Sequence, residues 1–205
     1  MAGQGSARPP VARERATVIR ALLAGERVDR AGEVRVHDAR VWSRPTAPPE
    51  LLAAAVSPQT AAEVAAWADG LITVGTDPAA SARTREAYRE AGGPGPLAIQ
   101  IHVSLAETDA EALAIVRDQW SHATAPADRT WDLEQPEDFE ALADPTDEKL
   151  RSAVLVSDSA ADLAERIAEV ALGFDRIYLH HVGKEQTAFL ERSGSELLPA
   201  LRSKL

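Results

Sequence analysis

The stretch PPELLAAAVSPQTAAEVAAWADGLITVGT, residues 48–76, decides the fold of this 205-residue chain. It contains a short apolar strand at Leu51–Ala55, a helix that begins at Ser57-Pro58, and a second apolar strand at Leu71–Val74. Serine followed by proline is a typical helix start, because the hydroxyl accepts a free backbone N–H and proline has no N–H to satisfy. Short unbroken apolar runs are typical of strands buried on both faces of a parallel sheet. The stretch therefore predicts one unit of a parallel β/α protein.

The same pattern recurs along the chain and predicts four β/α units. Two further strands are expected at 97–105 and 176–180, and residues 121–150 form an excursion between units. A complete (β/α)8 barrel needs eight such units, so the count predicts half of a barrel, with an open four-stranded parallel sheet as the alternative. A Gly/Pro-rich stub at 1–10 is expected to be poorly ordered, and residues 11–205 to form one partial barrel domain. The other predicted elements are a helix at Val11–Ala24, a small hairpin within Arg27–Arg44, and helices at Ala79–Ala91, Asp109–Trp120, Ala160–Leu172 and about Glu185–Leu201.

Composition excludes several classes of function. The net charge is −10 and no Lys/Arg-rich run offsets it, which disfavours binding to nucleic acid or to an anionic membrane. The chain has no cysteine, so disulfides, thiolate metal sites and cysteine nucleophiles are excluded. The N-terminus lacks the apolar core of a signal peptide, and no apolar run approaches the roughly 20 residues of a membrane span. We therefore expect a soluble cytoplasmic protein that binds no metal.

The loops that connect strands to helices are the expected location of the functional site. Ser57-Pro58 and Asp77-Pro78 repeat the same cap and proline after two successive strands. In parallel β/α folds such joints lie at the carboxyl ends of the strands, where ligands bind near helix N-termini. Residues 54–58 and 74–78 are therefore the candidate site, although tight turns use the same small residues without any ligand.

Three motifs in a fixed order resemble a known family. They are VIRALLAGERVDRAGEVRVHDARVWSRP at 18–45, the 48–75 unit, and LGFDRIYLHHVGKEQTAFL at 172–190 followed by LLPAL at 197–201. From about residue 11 to the end, the chain resembles the C-terminal portion of the luciferase-like flavin- or deazaflavin-dependent oxidoreductases. The branch it resembles most contains deazaflavin-dependent sugar-phosphate dehydrogenases.

This resemblance implies the C-terminal half of a (β/α)8 TIM barrel, with a small β-hairpin flap near the N-terminus. It also implies FMN or the deazaflavin coenzyme F420 as cofactor, lying across the carboxyl face of the strands. His180 is a candidate to face the cofactor or the substrate, whereas His102 is expected in the core or the pocket wall. By the same resemblance, the cofactor is held by the backbone around Ala55, Val56, Ser57, Val74, Gly75 and Thr76.

Two departures from the family pattern qualify the function. The sugar-phosphate branch has a lysine just beyond the sixth strand, where this chain has Asp77, so a sugar phosphate is disfavoured and a flavin-using branch fits better. The residues before Val11 do not match the first four β/α units of the family's barrel. Within them, Gly3–Ser6 only faintly resembles the end of the family's fourth strand. We therefore expect a luciferase-like oxidoreductase acting on a small organic substrate, truncated, with its activity alone left open. The alternative is a non-catalytic half-barrel remnant or partner subunit that assembles with a complementing N-terminal half-barrel chain or as a homo-oligomer.

Overall fold

The structure is a computed structural model that describes residues 8–126, 129–130 and 133–205. The chain divides into two compact units. The first contains the described residues up to Ile72 together with Thr84–Pro96, and the second contains Thr73–Arg83 together with Leu97–Leu205. Most of the predicted N-terminal stub, including Gly3–Ser6, lies outside the described residues.

A helix and a hairpin open the first unit. Helix α1, Arg8–Ala24, begins earlier than the predicted Val11. Strands β1, Val28–Ala31, and β2, Arg35–Ala39, pair antiparallel. The small hairpin predicted between Arg27 and Arg44 is therefore confirmed.

The 48–76 stretch forms the predicted strand, helix and strand. Strand β3, Leu52–Ala54, runs parallel to β4, Gly70–Val74. Between them, helix α2, Pro58–Val64, begins where predicted, because the Ser57 hydroxyl accepts the N–H of Thr60 at 3.2 Å. The helix ends at Val64, although Gly70, which follows Asp69, is a residue typical of a helix end.

Asp69 fixes the segment that follows α2. Its carboxylate accepts the N–H of Leu51 at 2.8 Å and two contacts from Nη1 of Arg20 at 2.7 and 2.9 Å. Nη2 of Arg20 also donates to the Trp67 carbonyl at 2.7 Å. Gly95 lies so close that a Cβ there would be 1.8 Å from the Asp69 carbonyl oxygen, and its φ of +66° also requires glycine. These contacts hold α1, the end of α2 and the start of β3 together.

Strand β5, Leu97–Leu105, is the centre of the second unit. It pairs in parallel with β6, Leu155–Ser157, and with β7, Arg176–His181. The strands predicted at 97–105 and 176–180 are thus present, whereas β6 was missed because three residues are too few to show a period. The remaining elements are α3 Pro78–Glu90, α4 Asp109–Trp120, a 3₁₀ turn at Ser121–Thr124, α5 Pro136–Leu142, α6 Asp147–Ala153, α7 Ala160–Val170, α8 Thr187–Arg192, a π-helical turn at Ser193–Leu197 and α9 Leu198–Arg202.

One face of β5 forms the main core of this unit. Ile99, Ile101, Val103 and Leu105 are buried in a cluster with one face of α7. The buried residues of α7 recur every three or four positions, as an amphipathic helix on a sheet requires; they are Ala160, Leu163, Ala164, Ile167 and Val170. Because side chains alternate along a strand, Gln100 and His102 point to the opposite face of β5.

Thr108 and Glu111 form a capping box at the start of α4, the helix that the sequence predicted at Asp109–Trp120. The Thr108 hydroxyl accepts the N–H of Glu111 at 3.2 Å, and the Glu111 carboxylate accepts the N–H of Thr108 at 3.1 Å. We expect Thr108→Ala to lower the free energy of unfolding by about 1 kcal/mol, because it leaves a helix N–H without its acceptor. Urea denaturation measures this.

Thr17→Ala is the matched control for that variant. The Thr17 hydroxyl donates only to the Arg13 carbonyl within α1 and is exposed. Its loss should change the unfolding free energy by less than about 0.5 kcal/mol. Equal losses of unfolding free energy in the two variants would show that the capping box does not stabilise the fold.

Within the part of the chain that the structure describes, no helix is long and apolar enough to cross a bilayer.

Candidate functional site

The end of β3, in the first unit, carries three of the predicted cofactor-binding residues. Ala55 is buried, and its N–H donates to the Ile72 carbonyl at 3.0 Å. Val56 is 67% exposed, which is unusual for a valine at a strand end. Ser57 caps α2, so its hydroxyl already has a partner in the fold. This strand end therefore presents an apolar side chain and backbone to solvent.

The end of β4, in the second unit, carries the other three. Val74 is 37% exposed. The Gly75 N–H donates to the Gln100 carbonyl of β5 at 3.2 Å, and the Thr76 hydroxyl donates to the Ser152 carbonyl at 2.5 Å. Gly75 and Thr76 are thus fixed by backbone partners on both sides, while Val74 presents an apolar surface.

Asp77 occupies the N-terminus of α3, directly after this strand end. Its Oδ1 accepts the N–H groups of Ala79 at 2.7 Å and Ala80 at 3.2 Å. A helix N-terminus attracts anions through such free N–H groups and the helix dipole. Because a carboxylate of the chain already binds them, this terminus disfavours a phosphate.

Aromatic rings gather on the face of β5 and β7 opposite the main core of the second unit. His102 and His180 lie opposite each other in the parallel register, with ring centroids 5.1 Å apart. Trp120, the last residue of α4, packs against both imidazoles. Its ring centroid lies 4.8 Å from that of His102 and 5.2 Å from that of His180. His122 packs against the outer side of this group, 4.9 Å from Trp120. We call His102, Trp120 and His180 the ring cluster.

His102 is electrically neutral at physiological pH. Burial, followed by the charges that His180 and His122 carry when protonated, lowers the pKa of His102 to about 4. Its Nε2 lies 3.1 Å from the amide nitrogen of Gln100. The ring is therefore an oriented, uncharged hydrogen-bonding group on the face of β5 opposite the main core.

His181 points to the other face of β7. Its ring is 5% exposed and stacks on Phe189, with centroids 4.4 Å apart and planes 7° from parallel. Burial lowers the pKa of the His181 imidazole below its ordinary value. Among the two adjacent histidines, only His180 joins the ring cluster.

Sequence reasoning missed two members of this surface. Gln100 had a visible signal, because Gln100 and His102 are polar at alternate positions of an otherwise apolar strand. Trp120 had no sequence signal that would place it in the site, since a tryptophan at the end of a helix is usually a core residue. In the described ranges no group of three or more His, Cys, Asp or Glu side chains is arranged to hold a metal ion.

Comparison with known proteins decides the family. The family model described as luciferase-like monooxygenase matches residues 5–176. The chain belongs to this family. Its similar relatives include F420-dependent glucose-6-phosphate dehydrogenases from Beutenbergia cavernae, at 33% identity over 94% of this chain and 60% of that protein, and from Intrasporangium calvum, at 29% identity over 93% and 60%. This member of the luciferase-like family thus spans about three fifths of the length of the curated relatives it matches.

Two of the similar solved structures share the fold. An F420-dependent secondary alcohol dehydrogenase in complex with an F420-acetone adduct matches with a TM-score of 0.80 and 18% identity, over 96% of this chain and 62% of the other. An EDTA monooxygenase from Chelativorans sp. BNC1 matches with a TM-score of 0.63 and 15% identity, over 98% and 61%. The prediction of an α/β fold equivalent to part of a luciferase-like barrel is confirmed.

Proposed function

We propose that this chain forms part of an oxidoreductase that uses the deazaflavin coenzyme F420 and acts on a small organic substrate. The observation that carries the proposal is its sequence identity, over nearly its whole length, with relatives named as F420-dependent dehydrogenases. FMN, which the family resemblance also allows, is the alternative cofactor. When bound, F420 supplies hydride transfer, and the protein supplies binding, orientation and electrostatics.

The described residues fit such a cofactor. A flat heterocycle needs apolar surface on its face and backbone groups near its edge. Val56 and Val74 each expose an apolar side chain at the end of a strand, next to small residues. We therefore assign Ala55, Val56 and Ser57 at the end of β3, and Val74, Gly75 and Thr76 at the end of β4, to cofactor binding. His180, within the ring cluster, is the candidate to face the cofactor or substrate.

Fluorescence titration of the purified chain tests the cofactor. We expect saturable quenching with F420 and weaker or no quenching with FMN. Saturation by FMN alone would replace F420 in the proposal. A folded sample that binds neither would contradict it and favour the second candidate below.

Replacing Val56 tests the proposed site. Val56→Asp should weaken F420 binding by about tenfold or more, because it exchanges apolar contact for a carboxylate against an anionic ligand. Since the side chain is already exposed, the thermal midpoint should stay unchanged. Leu172→Asp is the control, as Leu172 is 73% exposed and lies outside the candidate site. Equal affinities in the two variants would remove Val56 from the site.

A non-catalytic half-barrel that assembles with another chain or with itself is the second candidate. One observation favours it: Tyr178 on β7 and Val74 on β4 expose large apolar side chains from the strands of the second unit. Such surfaces on a strand are commonly covered by a partner. Sedimentation of the chain tests this version, and a well-folded monomer would contradict self-assembly.

A further inference from the structure

We propose that His102 and Gln100 form a pair that orients the substrate by hydrogen bonding an uncharged oxygen, either a hydroxyl or a carbonyl, and not a phosphate. This inference rests on the proposed function, because it assigns a substrate class to the same site.

Packing fixes the orientation of the His102 ring. His102 lies opposite His180 in the register of β5 and β7, and the Trp120 indole contacts both rings. His102 is only partly buried, so part of its side chain stays accessible. A polar side chain held by two rings loses little conformational entropy when it binds a ligand.

The Gln100 amide fixes the tautomer. Its nitrogen lies 3.1 Å from Nε2 of His102 and donates to it, so the proton of the neutral ring is on Nδ1. Gln100 is the one hydrogen-bond partner that the described residues give His102. The Nδ1–H therefore remains as a donor for the lone pair of a hydroxyl or carbonyl oxygen.

The His102 ring offers a hydrogen-bond donor but no charge to a phosphate. The titratable groups that approach His102 are His180 from β7 and His122 from the 3₁₀ turn, and Trp120 from α4 is uncharged. Since the ring itself stays neutral, it offers no positive charge to a dianion. Asp77 places a carboxylate at the carboxyl end of β4.

Three cations on helices α4 and α6 of the same unit are paired with carboxylates. Arg151 binds Asp109, Lys149 binds Asp144, and Arg117 binds Asp147. A phosphate would have to break one of these pairs to bind any of these three cations. The substrate class that fits is an uncharged alcohol or ketone, unlike the sugar phosphate in the names of the similar relatives.

Ring-nitrogen NMR on the chain without cofactor tests the tautomer first. We expect a protonated Nδ1 and a bare Nε2 on His102 from pH 7 to pH 5, and mixed tautomers in Gln100→Leu. Protonation at Nε2 in the unsubstituted chain would overturn the orientation argued above. This readout does not depend on F420 binding, so it separates a failure of the pair from a failure of the proposed function.

Ligand binding to the F420-loaded chain tests the substrate class. Saturation transfer should detect acetone and 2-propanol but not glucose 6-phosphate at the same concentration. His102→Phe keeps a ring against Trp120 and removes the donor, so acetone should bind about tenfold more weakly, and His102→Asn should restore part of the loss. Binding of glucose 6-phosphate as tight as that of acetone, or unchanged acetone affinity in His102→Phe, would overturn the proposal.

Discussion

Ile101→Ala is expected to lower the free energy of unfolding by about 3–4 kcal/mol, the largest loss we predict for a single substitution in this chain. Ile101 is completely buried at the middle of β5, in the cluster that this strand forms with α7. Truncation removes apolar surface from the core and leaves a cavity that neighbouring strands on both sides of β5 hinder from closing. Urea denaturation followed by circular dichroism measures the change.

Ile19→Ala is the control of the same residue type. Ile19 lies on α1 and is 44% exposed, so the same deletion should cost less than about 1 kcal/mol. If the two variants lost similar stability, the core assignment of β5 would be wrong.

Asp69→Ala should cost about 2 kcal/mol, because it removes an acceptor that serves a backbone N–H and a guanidinium together. Leu51 would lose the partner of its N–H, and Arg20 would keep only its bond to the Trp67 carbonyl. Asp158→Ala is the matched control, since that carboxylate is exposed, and it should change stability by less than about 0.5 kcal/mol.

The effect of Asp69 should also depend on pH. Burial raises the pKa of Asp69, but the Leu51 N–H and Arg20 lower it more, so it lies below its ordinary value. A carboxyl whose pKa is lower in the folded state stabilises the fold above its unfolded pKa of about 4 and loses this contribution as the pH falls through the folded value. The stability difference between the unsubstituted chain and Asp69→Asn should therefore be constant from pH 7 to pH 5 and shrink below pH 4. A difference that stays constant down to pH 2.5 would contradict the lowered pKa.

The sequence predicted strands and helices well where a long apolar run or a helix-capping residue marks them. The strand at 97–105, the helix that begins at Ser57-Pro58 and the helix at Asp109–Trp120 are present as expected. Strand β6 was missed, because it has only three residues and forms by pairing with β5, about 50 positions earlier in the chain. Long-range contacts override local propensity at such places.

The candidate site could be predicted only in part. Small residues after β3 and β4 indicate strand-to-helix loops at the carboxyl ends of these strands. This holds whichever strands pair with β3 and β4. The exposure of Val56 and Val74 could not be read from the sequence, since apolar residues at strand ends are usually buried. That these loops bind a cofactor stays a prediction, and the fluorescence titration with F420 and FMN tests it.

The sequence by itself determined the class of elements, their order and the membership of the luciferase-like family, because caps, apolar runs and motif spacing are local features of the chain. Alternation along a strand also determined that His180 and His181 point to opposite faces of β7. Only the tertiary structure decided which of them meets His102. That choice depends on the parallel register of β5 and β7, which joins residues 78 positions apart, and on the position of Trp120 at the end of α4.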